Sequence, residues 1–307
     1  MGQRVLVTGA TGFIGRQCLA SLLRLGYEVH AVTSRTPDCA TGDVLWHRAN
    51  LLDARETHEL LGDVRASHLL HLAWYTTPGH YAESPHNFAW VQASLGLLRE
   101  FHANGGQRVV MAGSSAEYDW SYAFCSERLT PRAPATLYGN CKALMCNLFE
   151  AYARTAQLSA AWARIFFVYG PHEHPARLVS SVIRSLLRGE PARCSHGDQV
   201  RDYMHVQDVA DALAALLDSA VDGPVNVASG TYCPIGDIVR RIGKYLDREH
   251  LIVLGALPKR PTDAPLVIAD VARLSNEVGW RPRYDLDGGL AHTVAWWKQQ
   301  LRDEGKI

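Results

Sequence analysis

The chain has 307 residues, 47% of them hydrophobic, and its 31 basic side chains balance 31 acidic ones for a formal net charge of zero. That length supports one large core or one and a half domains, and the charge balance excludes a single-sign field for nucleic acid or an anionic membrane. Seven scattered cysteines (Cys18, Cys39, Cys125, Cys141, Cys146, Cys194, Cys233) contain no CxxC pair, which suits a reducing compartment and argues against a disulfide framework or a zinc site. No basic-then-apolar leader precedes the first strand and no apolar run reaches spanning length, so a cytoplasmic protein is expected. His172-Glu173-His174 offers two histidines without further ligands at fixed spacing, and no metal is expected.

In chain order, Arg4-Val5-Leu6-Val7-Thr8 reads as a short buried strand that runs into Gly9-Ala10-Thr11-Gly12-Phe13-Ile14-Gly15 and an amphipathic stretch through Leu25. The spacing is that of a dinucleotide loop. Gly9 permits the tight turn, Gly12 lets backbone N–H groups approach a pyrophosphate, Gly15 lets the helix lie close to the strand, and the helix N-terminus faces the charge. Thr11, Phe13 and Ile14 complete the loop. Tyr27 to Thr33 is a second strand, ending in Thr33-Ser34-Arg35-Thr36-Pro37. An NAD site usually places a carboxylate there for the ribose hydroxyl. Ser34 and Arg35 stand here instead, so NADP(H) is expected over NAD(H). Val44 to Leu51 is a third strand, with Asn50 and Leu51 where an adenine would lie and Asp53 as a helix cap. Ser67 to Ala73 is a fourth, its Leu69, Leu70, Leu72 and Ala73 apolar as expected of a strand buried on both faces, with Leu72, Ala73 and Trp74 beside the cofactor. A helix to about Asn104 and a fifth strand, Gln107 to Ala112, lead into Gly113-Ser114-Ser115-Ala116-Glu117-Tyr118. Strands alternating with helices predict an α/β fold with a doubly wound parallel sheet.

Residues 136 to 157 are helical in pattern and hold Tyr138 and Lys142 one turn apart on one face. A phenolate about 4 Å from an ammonium gains on the order of 4 kcal/mol at an effective dielectric of 20, or about three pKa units. That would bring Tyr138 near neutrality and let it exchange a proton with a carbonyl or alcohol oxygen, with the hydroxyl of Ser115, or of its neighbour Ser114, as a second hydrogen bond. A further strand, Ala160 to Val168, places Val168 toward the cofactor and ends in Tyr169-Gly170-Pro171. Beyond it the rhythm loosens: a helix at 177 to 189, Arg201 to Val206 leading into a helix to about Ser219, a short strand Val225 to Val227, and helices at 235 to 246 and 286 to 302. Residues 1–170 are expected to bind the cofactor and 171–307 to form a smaller α/β substrate lobe, with some later segments returning to the first.

Gly9 to Gly15, Ser114-Ser115, Tyr138 to Lys142, Arg164 with Val168-Tyr169-Gly170-Pro171, Arg201-Asp202-Tyr203 with Asp208-Val209-Ala210, and Gly279-Trp280-Arg281-Pro282 occur in this order along nearly the whole chain. Together they resemble an extended short-chain dehydrogenase/reductase of the NAD(P)-dependent epimerase/dehydratase family, in its nucleotide-sugar 4-ketoreductase branch. The resemblance implies a Rossmann lobe, a C-terminal lobe that holds a nucleoside diphosphate sugar, and a homodimer through two helices per subunit. It implies Ser115, Tyr138 and Lys142 as the catalytic set, with Glu117, His172, Arg177, Arg201 and Arg260 on the substrate; guanidinium groups suit a diphosphate by bidentate geometry. Departures narrow the chemistry. The sugar dehydratases carry an Asp-Glu pair after the strand-end hydroxyl where this chain has Ala116-Glu117, which disfavours elimination of water. The fucose-type epimerase-reductases use a Cys near that position as well as a His after the Gly-Pro turn; here Ala116 replaces the first and only His172 remains. The family's usual Asn in the helix after the fourth strand is replaced near Trp90. The expected reaction is therefore NADPH-dependent reduction of the C4 ketone of an NDP-4-keto-6-deoxyhexose, with Tyr138 protonating the new alcohol. The alternatives are an NDP-sugar C4 epimerase with tightly bound NAD and, more distantly, a non-catalytic NADP-sensing module.

Overall fold

The computed structural model describes residues 3–35, 42–258 and 263–307. Its strands in chain order are β1 (Arg4–Thr8), β2 (Glu28–Thr33), β3 (Val44–Arg48), β4 (His68–His71), β5 (Arg108–Ser114), β6 (Phe124–Cys125), β7 (Ser159–Ile165), β8 (Phe167–Tyr169), β9 (Ala192–Arg193), β10 (Val200–Arg201), β11 (Tyr203–His205), β12 (Gly223–Val227), β13 (Cys233–Pro234), β14 (Ile252–Val253) and β15 (Leu266–Ala269). The helices are α1 (Gly15–Arg24), α2 (Ala54–Val64), α3 (His86–Ala103), α4 (Leu137–Ala156), α5 (Leu178–Leu187), α6 (Val206–Asp218), α7 (Ile235–Leu246) and α8 (Leu286–Asp303).

Seven strands form one parallel sheet in the order β12-β7-β5-β4-β1-β2-β3. Val5, Leu6, Val7, Leu69, Leu70, Val109 and Val110 are fully buried, because helices cover both faces. Cys18, Leu19 and Leu22 of α1 meet Val209, Leu213 and Leu217 of α6 on one face. Leu61 of α2, Leu97 and Phe101 of α3, and Met145 and Phe149 of α4 cover the other. The direction of winding reverses between β1 and β4, and at such a switch point the carboxyl ends of the strands leave a crevice.

The apolar run from Ala160 to Val168 does not stay one strand. It breaks at Phe166: β7 remains in the large sheet, and β8 turns away to pair in parallel with β11. The second lobe has its own core, where Val179, Ile183 and Leu186 of α5 pack with Ile238 and Ile242 of α7 and Leu290 and Trp297 of α8. It is not contiguous in sequence. Helix α6 and strand β12 lie beyond residue 171 yet complete the first lobe, β12 pairing with β7 at the sheet edge.

Candidate active site

The carboxyl ends of β1, β4 and β5 and the turn between β7 and β8 open on a cleft of about 380 Å³. One end is made of backbone. Gly9 has φ +67°, and a Cβ added at Gly15 would lie 2.1 Å from the Gly9 carbonyl oxygen, so loop and helix reach this closeness only without side chains. Gly12 N–H donates to Gly9 O at 2.9 Å. Helix α1 begins at Gly15 with no side-chain cap at Ile14 and no acidic residue in its first turn, which leaves its N–H groups and positive end open to a phosphate. These features fit a dinucleotide's pyrophosphate.

Gly9, Gly12, Phe13, Ile14, Gly15, Leu72, Ala73, Trp74, Tyr138, Lys142 and Val168, all expected beside the cofactor, line the cleft together. Thr11 is not part of its wall; its carbonyl accepts a hydrogen bond from Arg16 Nη2 at 2.9 Å. Ser34, Arg35, Asn50 and Leu51 also lie outside the cleft wall. Arg35 is exposed at the end of β2, with its backbone N–H on Thr33 Oγ1 at 3.1 Å. Asn50 is exposed and its Oδ1 caps Leu52 N–H, whereas Leu51 is buried in the core beside α2.

Tyr138 stands in the first turn of α4, which Thr136 caps by accepting from Gly139 N–H at 3.1 Å. A Cβ at Gly139 would come 2.3 Å from the Ala116 carbonyl oxygen, so the glycine lets α4 close on the turn after β5. The Tyr138 ring meets Tyr81 edge-on at 5.0 Å and Trp74 at 6.5 Å. Burial pushes the phenol well above its ordinary range; a hydrogen bond to the Ser114 side chain and the charge of Arg177 oppose this, and Tyr81 and Glu117 add to it.

One expectation meets opposition here, and one open choice narrows. Lys142 does not draw Tyr138 toward neutrality: its Nζ donates to Ala112 O at 2.7 Å and sits 3.6 Å from the centre of the Trp74 ring. Burial pulls Lys142 itself down to about 7, against the charge of Glu117. Desolvation raises the phenol and lowers the ammonium, opposing the effect expected from their Coulomb attraction. Of the two hydroxyls the sequence left open, Ser114 is the one that bears on the phenol, lowering it. Ser115 lines the cleft too but is only 5% exposed, and its carbonyl accepts from Trp120 Nε1 at 2.7 Å.

The substrate-side expectations divide. Glu117 is fully buried and faces away from the cleft: Oε1 accepts from Ser114 N–H and Trp162 Nε1, and Oε2 from Arg164 Nε, each at 2.8 Å. An isolated carboxylate could not be buried there, and the Arg164 guanidinium compensates it. Of the Glu117-Tyr118-Asp119-Trp120 segment, Trp120 is the residue in the cleft wall. His172 also misses the cleft. It has φ +68°, bonds Arg16 Nη1 through Nδ1 at 2.8 Å, and lies on the Trp296 ring. Arg177 does line the cleft, 5.5 Å from the Tyr81 ring centre. Arg201 lines a separate depression of about 480 Å³, its guanidinium held by the carbonyls of Val200 and Ala264. Arg260 lies outside the described residues.

Reading motifs missed Tyr81, Phe167, Glu173 and Tyr203, which form the far end of the cleft with Trp120 and Arg177. Trp90 does stand beside the site, stacked on Trp74 at 6.4 Å, while Asn87 Oδ1 accepts from Trp74 Nε1 at 2.8 Å. Ser114, the alternative to Ser115 in the sequence, and Ala112 are the partly exposed positions at the end of β5, with buried Gly113 between them. Among the described residues no group of three or more His, Cys, Asp or Glu could hold a metal, and no helix is long and apolar enough to cross a membrane.

A glycine cradle at a helix N-terminus, on a sheet whose switch point holds a Tyr-Lys helix, is matched by a family profile over residues 5–228. The chain belongs to the NAD dependent epimerase/dehydratase family. Among curated proteins it is similar to UDP-glucuronate 4-epimerase 4 of Arabidopsis thaliana, 26% identical over 96% of this chain and 75% of that one. UDP-glucuronic acid decarboxylase 1 of Xenopus tropicalis is also 26% identical, over 98% of this chain and 74% of the relative. Among solved structures, the UDP-glucose 4-epimerase of Thermotoga maritima with UDP-glucose superposes with a TM-score of 0.89 at 24% identity, covering 97% of this chain and all of that one. The UDP-glucose 4-epimerase of Thermus thermophilus in complex with NAD gives 0.87 at 25% identity over 96% and 99% of the two chains. The parallel-sheet fold and the family assignment agree with the sequence reading. The relatives' names concern epimerases and a decarboxylase, and the solved Thermus relative holds NAD.

Proposed function

We propose that this family member transfers a hydride at C4 of a nucleoside diphosphate sugar, reducing the C4 ketone of an NDP-4-keto-6-deoxyhexose with NADPH. The observation that supports the reading is a cleft in which the Tyr138 phenol, Ser114 and Lys142 share a wall with a dinucleotide cradle. Reduction of a ketone needs a proton donor on the oxygen as hydride arrives at carbon. Tyr138 supplies that proton, Ser114 holds the oxygen by a second hydrogen bond, and Lys142, anchored on the Ala112 carbonyl, lines the adjoining wall. When bound, a nicotinamide cofactor would supply the hydride; the Gly9 to Gly15 loop would hold its pyrophosphate, with Leu72, Ala73, Trp74 and Val168 in the adjoining wall. Elimination of water is disfavoured because Glu117, the acid that follows the serines, is committed to Arg164. Arg35 and the lack of a carboxylate in Thr33-Ser34-Arg35 favour a 2′-phosphate.

The second reading, C4 epimerisation with retained NAD, is favoured by the names of the epimerase relatives and by the Thermus relative's NAD. The two separate cleanly. NADPH oxidation with a dehydratase-generated 4-keto sugar supports the reductase; protein that releases NAD on denaturation and interconverts C4 epimers without external cofactor supports the epimerase. The same proposal includes a homodimer through α3 and α4, whose Phe88, Leu144 and Leu148 are 61%, 60% and 49% exposed. It also includes a reducing cytoplasm, in keeping with Cys18, Cys125, Cys141, Cys146, Cys194 and Cys233 as free thiols.

A further inference from the structure

Glu173 is the one carboxylate among the described residues that line the cleft. It lies just after the Gly170-Pro171 turn and is 4% exposed. One oxygen, Oε2, accepts from Ser180 N–H at 3.1 Å and from Ser180 Oγ at 2.6 Å, and Ser180 Oγ in turn accepts from Trp297 Nε1 at 3.1 Å. This fixes the carboxyl group at the first turn of α5, where the helix dipole favours a negative charge. Oε1 has no hydrogen-bond partner among the described residues. Glu173 lines the cleft, so this second oxygen is free to accept a hydrogen bond from a bound ligand.

Three ionisable groups surround it: Arg177 at the N-cap of α5, the adjoining His174, and the Tyr203 phenol of β11, all in the same wall. Arg177 and His174 are exposed, so water and salt screen them, whereas Glu173 is buried in the wall. Resting on the nucleotide-sugar reading above, we propose that Glu173 is a specificity-determining residue that touches the sugar, accepting a hydrogen bond from a ring hydroxyl or amino substituent and rejecting a sugar that carries its own carboxylate. This would set the chain apart from its relatives named for glucuronate substrates. Burial pushes the Glu173 carboxyl up to about 7, with Ser180 and Arg177 opposing. The group is charged above that pH and neutral below it, so the rejection strengthens as pH rises.

The test begins by calorimetry with UDP, dTDP, CDP and GDP to find the base, then compares the glucose and glucuronate derivatives of the best diphosphate between pH 6 and 8.5. The expected result is binding of the glucuronate derivative weaker by about tenfold or more at the upper end, a gap that closes toward pH 6. Glu173→Gln, which keeps the shape and an acceptor for Ser180, should flatten both the gap and its pH dependence. Equal preference in wild type at every pH, or the same pH-dependent gap in Glu173→Gln, would overturn the assignment. The wild-type pH series decides even if the variant fails to fold. Binding of a diphosphate without discrimination defeats this inference alone; binding of no diphosphate defeats the nucleotide-sugar reading and this inference with it.

Discussion

The two ends of the cleft are built from different materials. The cofactor end is backbone: a left-handed Gly9, a helix N-terminus without a cap, and a contact between Gly15 and Gly9 that tolerates no Cβ. The far end is side chains: Tyr81, Trp120, Phe167, Glu173, Arg177 and Tyr203, drawn from segments scattered between residues 81 and 203. The difference teaches where each kind of function is stored. Binding a pyrophosphate needs few residues at fixed local spacing, while fitting a sugar needs a wall assembled by the tertiary fold.

Changes that break the backbone end should have the largest effects. Gly15→Val forces atoms into the Gly9 carbonyl and should abolish cofactor binding, checked by NADPH fluorescence titration. Tyr138→Phe, where the two ends meet, should lower kcat by about 10²–10⁴-fold with little change in cofactor affinity, checked by steady-state kinetics. Ser114→Ala should cost on the order of 10²-fold in kcat and Ser115→Ala far less, which sharpens the choice between the two hydroxyls. Glu117→Ala leaves Arg164 buried and unpaired and should destabilise the fold by about 3–5 kcal/mol, checked by urea denaturation. The smallest effect belongs to the exposed Arg35: Arg35→Ala should weaken NADPH by about tenfold and leave NADH unchanged. A preference for NADH in wild type would remove the argument from Arg35.

The same contrast explains what the sequence revealed. The parallel sheet was legible because β1, β4 and β5 are short apolar runs between helical patterns, and the dinucleotide cradle because its three glycines lie within seven residues. Tyr138 and Lys142 were legible as a pair one turn apart, but their surroundings were not: the Ala112 carbonyl, supplied from β5, holds Lys142 Nζ, and burial acts on both groups. Glu117 was placed on the substrate by the family resemblance; the short helical turn after β5 turns it instead onto Trp162 and Arg164 of β7. The break at Phe166 could not be seen in an unbroken apolar run, since only the pairing of β8 with β11 demands it.

The central claim is that hydride reaches C4 from an exchangeable cofactor while Tyr138 donates the proton. It is tested most directly with NADPH deuterated at the transferring position and a nucleoside diphosphate 4-keto-6-deoxy sugar, reading the product by mass spectrometry and NMR. The account predicts one deuterium at C4 of the product in wild type, formed orders of magnitude more slowly by Tyr138→Phe. A product that carries no deuterium at C4, or interconversion of C4 epimers with the added cofactor unconsumed, would contradict it.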